Sequence, residues 1–431
     1  MYRKIMGFLE AWKDSVHRKP LILQGARQVG KTYSILEFGR THYENVAYFN
    51  FETNPKLNET FEENISPDYL IPILSHIAGQ TIVTEKTLIV FDEVQLCERA
   101  LTSLKYFCEN APDYHIIVAG SLLGVAVNRA KFSFPVGKVD MKTLYPMDME
   151  EFMLALGEDD LVEQIKKCFQ TDTPLPSALH DAAMQLYRQY LVVGGMPECV
   201  MQFAETKDYI LVRHTQDTIL ASYLNDMSKY NNLNEIKKTR LAYDNITVQL
   251  SKKNTRFQYK LIKKGGRASE FENAIEWLCL SGIVSQVYKV EQIKKPLENY
   301  RDIDAFKIYV SDLGLLCANK DLAANDILYM VEEINDFKGG MAENYVNVQL
   351  TINGYHTYYW ESKRGAEIDF IIQRDGQLIP IEVKSADNTR AKSLKVYMDT
   401  YKPAYAIKLS AKNFGFEDNK KIVPLYAVFC I

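Results

Sequence analysis

No two of the seven cysteines are spaced as C-x-x-C or otherwise paired. That excludes a zinc site and a disulfide framework, and reads as reduced, mostly buried thiols of a cytoplasmic protein. No apolar run approaches the ~18 residues that a membrane span needs. The opening MYRKIMGFLEAWKDS mixes apolar and charged residues at helical spacing, unlike a secretory signal. Neither sign of charge is in excess. The 51 basic and 55 acidic residues give a net charge of −4, which excludes a uniformly basic nucleic-acid coat and leaves room for a local basic patch. Apolar residues make up 47% and charged residues 25% of the chain, so wholesale disorder and collagen-like order are excluded. A chain of 431 residues is long enough for roughly two to four domains with ample core. The expectation is a soluble, cytoplasmic, multidomain protein without a membrane partner.

What is present begins with a phosphate site. The apolar run LILQG (21–25) is long enough for a buried strand. The segment Gly25, Ala26, Arg27, Gln28, Val29, Gly30, Lys31, Thr32 follows at once and fits G-x-x-x-x-G-K-[ST], with the helical pattern YSILEFGR behind it. The glycines let the backbone curl so that its N–H groups face an anion, and the helix N-terminus adds partial positive charge. Lys31 can neutralise β/γ-phosphate oxygens, and the Thr32 hydroxyl can ligate Mg²⁺.

The run TLIVFD (87–92) ends in Asp92 and Glu93. Beside a P-loop, Asp92 is expected to hold the Mg²⁺ water shell and Glu93 to orient and deprotonate the attacking water. A third strand, HIIVAGS, ends at Ser121; this serine either senses the γ-phosphate or holds the water, or Gly120–Ser121 is simply a turn. With a further strand at NVAYFNF (45–51), strands alternating with helices predict a parallel three-layer α/β domain binding ATP and Mg²⁺.

Residues 176–228 carry helical periodicity, broken at Gly194–Gly195 and Pro197. Residues 229–267 hold eleven basic residues (Lys229, Lys237, Lys238, Arg240, Lys252, Lys253, Arg256, Lys260, Lys263, Lys264 and Arg267) against Glu235 and Asp244. The helical segment SEFENAIEWLCLSG and two strand-like runs, IVSQVYKV and AFKIYV, come next. Helices before a two-stranded ribbon suggest a winged helix. Its cations either contact DNA phosphates or form a solvated face.

Towards the C-terminus, GMAENYVNVQLTI (340–352) reads as a helix with Glu343 near its start. Two strands follow, IDFIIQ with Asp369 and LIPIEVKS with Glu382 and Lys384, then a helix and a final strand, AYAIKLS. Glu382 and Lys384 are two apart and share a face. A hairpin-like turn lets Asp369 and Glu382 converge. Carboxylates brought together repel unless a divalent cation sits between them, and their oxygens suit Mg²⁺ or Mn²⁺. A lysine on the same face could polarise a metal-bound water. Glu343, Asp369 and Glu382 are the expected metal ligands and Lys384 the expected catalytic lysine of phosphodiester hydrolysis.

These motifs together resemble a prokaryotic family of AAA-type P-loop ATPases that read G-A-R-Q-V-G-K-T near the start and carry a nuclease-like C-terminal domain. The E…D…E-x-K set resembles the PD-(D/E)XK nuclease superfamily, although Ile368 stands where its proline would precede Asp369. The resemblance implies an ATPase domain over 1–165, a helical lid over 166–228, a winged-helix-like basic module over 229–325, and an α/β restriction-endonuclease-like domain over 326–431. It also implies a homo-oligomer, since AAA-type sites often lie between subunits. In the stretch ending L-x-P-M/L-x-x-x-E-F the family often has Gly-Arg, and this chain has Gly137–Lys138. An arginine finger there would lose its planar fork; Arg129 is the nearby substitute. The implied activity is ATP hydrolysis coupled to DNA binding, either with metal-dependent DNA cleavage or as a nucleotide-dependent switch whose nuclease-like domain is a non-cleaving scaffold.

Overall fold

The computed structural model describes residues 1–120, 134–229, 233–250, 256–385 and 392–431. The chain divides into two compact units. One comprises Arg3–Tyr145 with Leu280–Gly282; the other comprises Met1–Tyr2, Pro146–Cys279 and Ile283–Ile431.

The first unit is built on five parallel strands, β1 (Leu21–Gln24), β2 (Asn45–Asn50), β3 (Thr87–Asp92), β4 (His115–Gly120) and β5 (Asp140–Thr143), in the spatial order β2-β3-β4-β1-β5. Every residue of β3 and β4 is buried. That is why TLIVFD and HIIVAG read as continuous apolar runs rather than alternating ones: helices cover both faces of a parallel sheet. Helix Glu98–Asn110 buries Ala100, Leu101, Leu104 and Phe107 at three-and-four spacing. Phe51, Phe61 and Phe91 pack edge to face with centroids 5.5–5.9 Å apart. The Phe51 N–H donates to the Asp92 carbonyl at 3.1 Å. The aromatic cluster thereby fixes the β3 tip that carries the two acids.

The second unit holds helices Met149–Ala155, Asp159–Thr171, Ser177–Val193, Pro197–Thr206, Tyr209–Lys229, Leu233–Leu250 and Ala268–Leu280. Then come strands β6 (Val284–Val290) and β7 (Arg301–Val310), helix Leu313–Asn319 and helix Asn335–Ile352. The chain continues with β8 (Tyr358–Glu361), β9 (Glu367–Arg374), β10 (Gln377–Val383), helix Lys392–Tyr401, β11 (Ala406–Ser410), β12 (Gly415–Glu417) and β13 (Lys420–Pro424). All eight strands lie in one mixed sheet, ordered β12-β13-β11-β10-β9-β8-β6-β7.

Three features differ from the sequence reading. First, the ribbon β6–β7 is not a free wing. β6 pairs in parallel with β8 (Tyr288↔Tyr358), so residues 229–325 and 326–431 share a sheet. Second, Met149–Ala155 belongs to the second unit. The Met149 N–H donates to Gln349 Oε1 at 3.1 Å, and Phe152 meets the Tyr190 ring at 5.4 Å. Third, the strand Ala406–Ser410 is not the last; the hairpin β12–β13 extends the sheet beyond it.

The Gly194–Gly195 break has a packing cause. The buried Asp312 carboxylate caps its own helix at the Leu315 N–H (2.8 Å) and accepts from the Gly195 N–H at 2.6 Å. Burial pushes that carboxyl up to about 6 despite these donors. A Cβ on Gly195 would lie 2.0 Å from the Met147 carbonyl oxygen. Gly195→Ala is therefore expected to destabilise this unit by about 3 kcal/mol, because backbone and not a pliable side chain occupies the space. A chemical-denaturation midpoint within experimental error of the wild type would contradict this packing.

Candidate ATP-binding and carboxylate sites

Strand β1 runs into the loop Gly25–Gly30 and helix Lys31–His42. The loop curls through positive φ at Gly25 (151°), Gln28 (66°) and Gly30 (90°), conformations that glycine supplies at the two ends at no steric cost. A Cβ on Gly25 would lie 2.1 Å from the Leu144 carbonyl oxygen. Lys31 is only 7% exposed. Its ammonium donates to the Gly25 and Ala26 carbonyls at 2.9 and 2.7 Å. Burial pushes it down to about 8, against the pull of Glu93 and Asp92.

Asp92, 5% exposed, is the hub of the site. Its Oδ2 accepts from Thr32 Oγ1 at 2.9 Å and from the Tyr48 hydroxyl at 2.7 Å, and its Oδ1 accepts from the Glu93 N–H at 3.0 Å. Tyr48 in turn accepts from Asn50 Nδ2 at 3.2 Å. A threonine hydroxyl hydrogen-bonded to a carboxylate, in a loop already bent for phosphate, is a donor set that fits Mg²⁺. Thr32 and Asp92 are the residues that would hold it. Glu93 sits at φ 53° and accepts a short hydrogen bond from the Gln95 amide. Burial raises its pKa, with Asp92 adding to the effect. A carboxylate raised in this way is more basic, as a proton acceptor requires.

The structure thus brings Gly25–Thr32, Asp92 and Glu93 together. Ser121 and Arg129 lie outside the described residues. Lys138 forms an ion pair with Glu109 at 3.0 Å. Tyr48, Asn50 and Gln95 are partners that the sequence reading missed. Only the β2–β3 register, Asn50↔Asp92, puts Tyr48 within reach, and no motif encodes it.

The second constellation lies in the other unit. Glu343 and Asp369 line a cavity of about 280 Å³ together with Glu367, Lys307, Tyr309 and Arg256. Lys307 Nζ lies 3.3 Å from Glu343 Oε2 and 2.7 Å from Glu367 Oε1. Tyr309 donates to the same Glu343 oxygen at 3.0 Å. Asp369 Oδ2 accepts from the Val383 N–H at 2.7 Å. Burial, with Glu343 nearby, raises the Asp369 pKa against Lys307 and Lys384. Lys384 pairs with Glu382 Oε1 at 2.9 Å, as their shared face requires, and neither is in the cavity wall. Asp369 links the two pairs: Glu343, Lys307 and Lys384 all act on its charge, and Asp369, Glu382 and Glu343 all act on Lys384. Among the described residues no three His, Cys, Asp or Glu side chains converge as a metal-binding group. The sequence reading missed Lys307 because it reads as an ordinary polar position on a strand.

In the basic region, Lys237, Arg240, Arg256, Lys260, Lys263, Lys264 and Arg267 are exposed; Lys252 and Lys253 lie outside the described residues. Phe257 is buried and stacks on Phe306 at 5.7 Å, so it serves packing. No described helix is long and apolar enough to cross a membrane. No disulfide joins any of the seven cysteines, and Cys97, Cys168, Cys199 and Cys317 are buried.

Residues 17–153 match the AAA domain family. Residues 184–326 and 338–428 match two domains of unknown function, DUF8612 and DUF4143. No curated protein matches the chain. Similar solved structures include the Walker-type ATPase of Pyrococcus abyssi, 13% identical, with a TM-score of 0.46, covering 74% of this chain and 95% of that one. Another is the ORC2 protein of Aeropyrum pernix, 13% identical, TM-score 0.36, covering 77% and 94%. A third is the RuvB Holliday junction branch migration motor of Thermotoga maritima, 14% identical, TM-score 0.29, covering 65% and 87%. The glycine-bent loop, the Thr32–Asp92 contact and the family match over 17–153 make the N-terminal part of this chain an AAA-type P-loop ATPase domain.

Proposed function

We propose that the protein hydrolyses ATP with Mg²⁺ and couples its nucleotide state to DNA binding. The observation that carries the ATPase half is Asp92, held by Thr32 on one side and Tyr48 on the other, with Glu93 next to it. In this reading Lys31 releases the loop carbonyls and takes β/γ-phosphate oxygens. Thr32 and Asp92 hold the metal, whose charge would offset that of the phosphates. Glu93 accepts the proton of the attacking water. Residues 166–228 serve as the lid, and the exposed cations between Lys237 and Arg267 contact phosphates. A homo-oligomer could supply a cation in trans.

A second reading keeps the ATPase and treats the nuclease-like domain as a non-cleaving scaffold in a nucleotide-dependent switch. Lys307, set against Glu343 and Glu367, favours it. The test of the main proposal is fluorescence anisotropy of labelled duplex DNA with ADP and with a non-hydrolysable ATP analogue, at two salt concentrations, alongside phosphate release. DNA affinity is expected to differ between nucleotides and to fall with salt. Identical affinity in every nucleotide state would break the coupling.

A further inference from the structure

We infer that the ammonium of Lys307 is the resident cation of the C-terminal carboxylate cluster, and that this cluster therefore takes no divalent ion. The inference deepens the scaffold reading and rests on it for its functional meaning: a nuclease-like site with a lysine in the cation's place binds without cutting.

The position of Lys307 is the first observation. It lies in the buried half of β7, between Phe306 and Ile308, and is 2% exposed. A lysine is almost never buried this deeply unless paired. Its partners are Glu367 Oε1 at 2.7 Å and Glu343 Oε2 at 3.3 Å, with the Tyr359 ring centroid 5.1 Å away. Set between two carboxylates at ion-pair distance, the side chain is a charged ammonium.

The second observation is that each expected ligand has a protein partner through at least one carboxylate oxygen, although the buried Glu382 Oε2 has none. Glu343 has Lys307 and Tyr309, Asp369 has the Val383 N–H, and Glu382 has Lys384. A Mg²⁺ or Mn²⁺ ion needs several oxygens at about 2.0–2.2 Å in near-octahedral array. An ion bound to Glu343 Oε2 would lie against an ammonium of like sign, and like charges in a buried site disfavour each other steeply.

The third observation is that the backbone of Lys307 is fixed beside the two carboxylates. Its strand pairs with β6 from Val284↔Val310 to Val290↔Arg301, with Lys307 opposite Val287, and β6 is itself paired to β8. Withdrawing the ammonium with no cation in its place would leave Glu343 and Glu367 uncompensated, a strongly destabilising arrangement. The carboxylates hold the ribbon to helix Asn335–Ile352 and to β9.

The test is a Mn²⁺ titration of the full-length, nucleotide-free protein, with free ion read by electron paramagnetic resonance. The samples are wild type, Glu343→Gln, Lys307→Met and the double variant. Wild type and Glu343→Gln are expected to retain the same Mn²⁺, because the cluster holds none. Lys307→Met is expected to gain about one Mn²⁺ per chain, lost again in the double variant, since carboxylates without an ammonium suit a hard cation. Wild-type Mn²⁺ that Glu343→Gln releases would overturn the inference. So would a Lys307→Met protein with wild-type circular dichroism and no gained ion. If Lys307→Met does not fold, the wild type against Glu343→Gln decides alone. Mn²⁺-dependent nicking of DNA by the wild type, lost in Lys384→Ala, would also overturn it. None of these readouts uses ATP, so failure of the ATPase proposal leaves them unaffected.

Discussion

Lys31→Ala is expected to lower ATP turnover by about 10²–10³-fold, the usual cost of losing one preorganised group that stabilises transition-state charge. The ammonium is buried against the Gly25 and Ala26 carbonyls, so no water stands ready to replace it, and no other described lysine lies in the loop. The same residue predicts a pH dependence. Its amine is pushed down to about 8 in the nucleotide-free protein. It is charged below that value and neutral above it. ATP affinity is thus expected to decline as pH rises past about 8, well below the ordinary lysine range of about 10.4, and the decline should vanish in Lys31→Ala. Isothermal titration across pH, with phosphate release at saturating ATP, measures both. Turnover unaffected by the substitution would remove Lys31 from the phosphate site.

Glu93→Gln is expected to slow hydrolysis by about 10²–10⁴-fold while ATP remains bound, the range of a lost general base. The amide keeps the shape and loses the basicity. Asp92, Thr32 and Lys31 are untouched, so affinity should hold. Three features support the role. The Glu93 backbone is in the left-handed region at φ 53°, burial raises its pKa, and Gln95 orients its carboxylate. A single-turnover measurement separates binding from chemistry. Equal hydrolysis rates, or loss of ATP binding in the variant, would assign Glu93 a structural role.

The legible part of this protein is the contiguous part. Gly25 to Thr32 lie in one loop, and Asp92–Glu93 end one buried strand, so motif and periodicity suffice to place them. Tyr48 was illegible because its contact with Asp92 exists only through the pairing of two strands 44 residues apart. Lys307 was illegible for the same reason: its partner Glu343 is 36 residues away, and AFKIYV alone gives its lysine no direction. A glycine misled at one place. Gly340 looked like a helix start, yet the helix begins at Asn335. Gly340 sits inside it because a Cβ there would lie 2.0 Å from the Leu250 carbonyl oxygen. The ribbon β6–β7 looked like a wing because local pattern does not reveal which strand an edge will join.

The amino-acid order alone determined the bent phosphate loop, the acid-tipped strand beside it and the α/β character of both ends, because each depends on neighbours within a turn or a strand. Only the folded chain decided which cation meets which carboxylate. Lys307 opposes Glu343 and Glu367 because strand pairing across distant segments sets those distances, whereas Lys384 meets Glu382 two residues away along the chain. Coulomb energy, falling with distance and rising with burial, turns that geometry into chemistry.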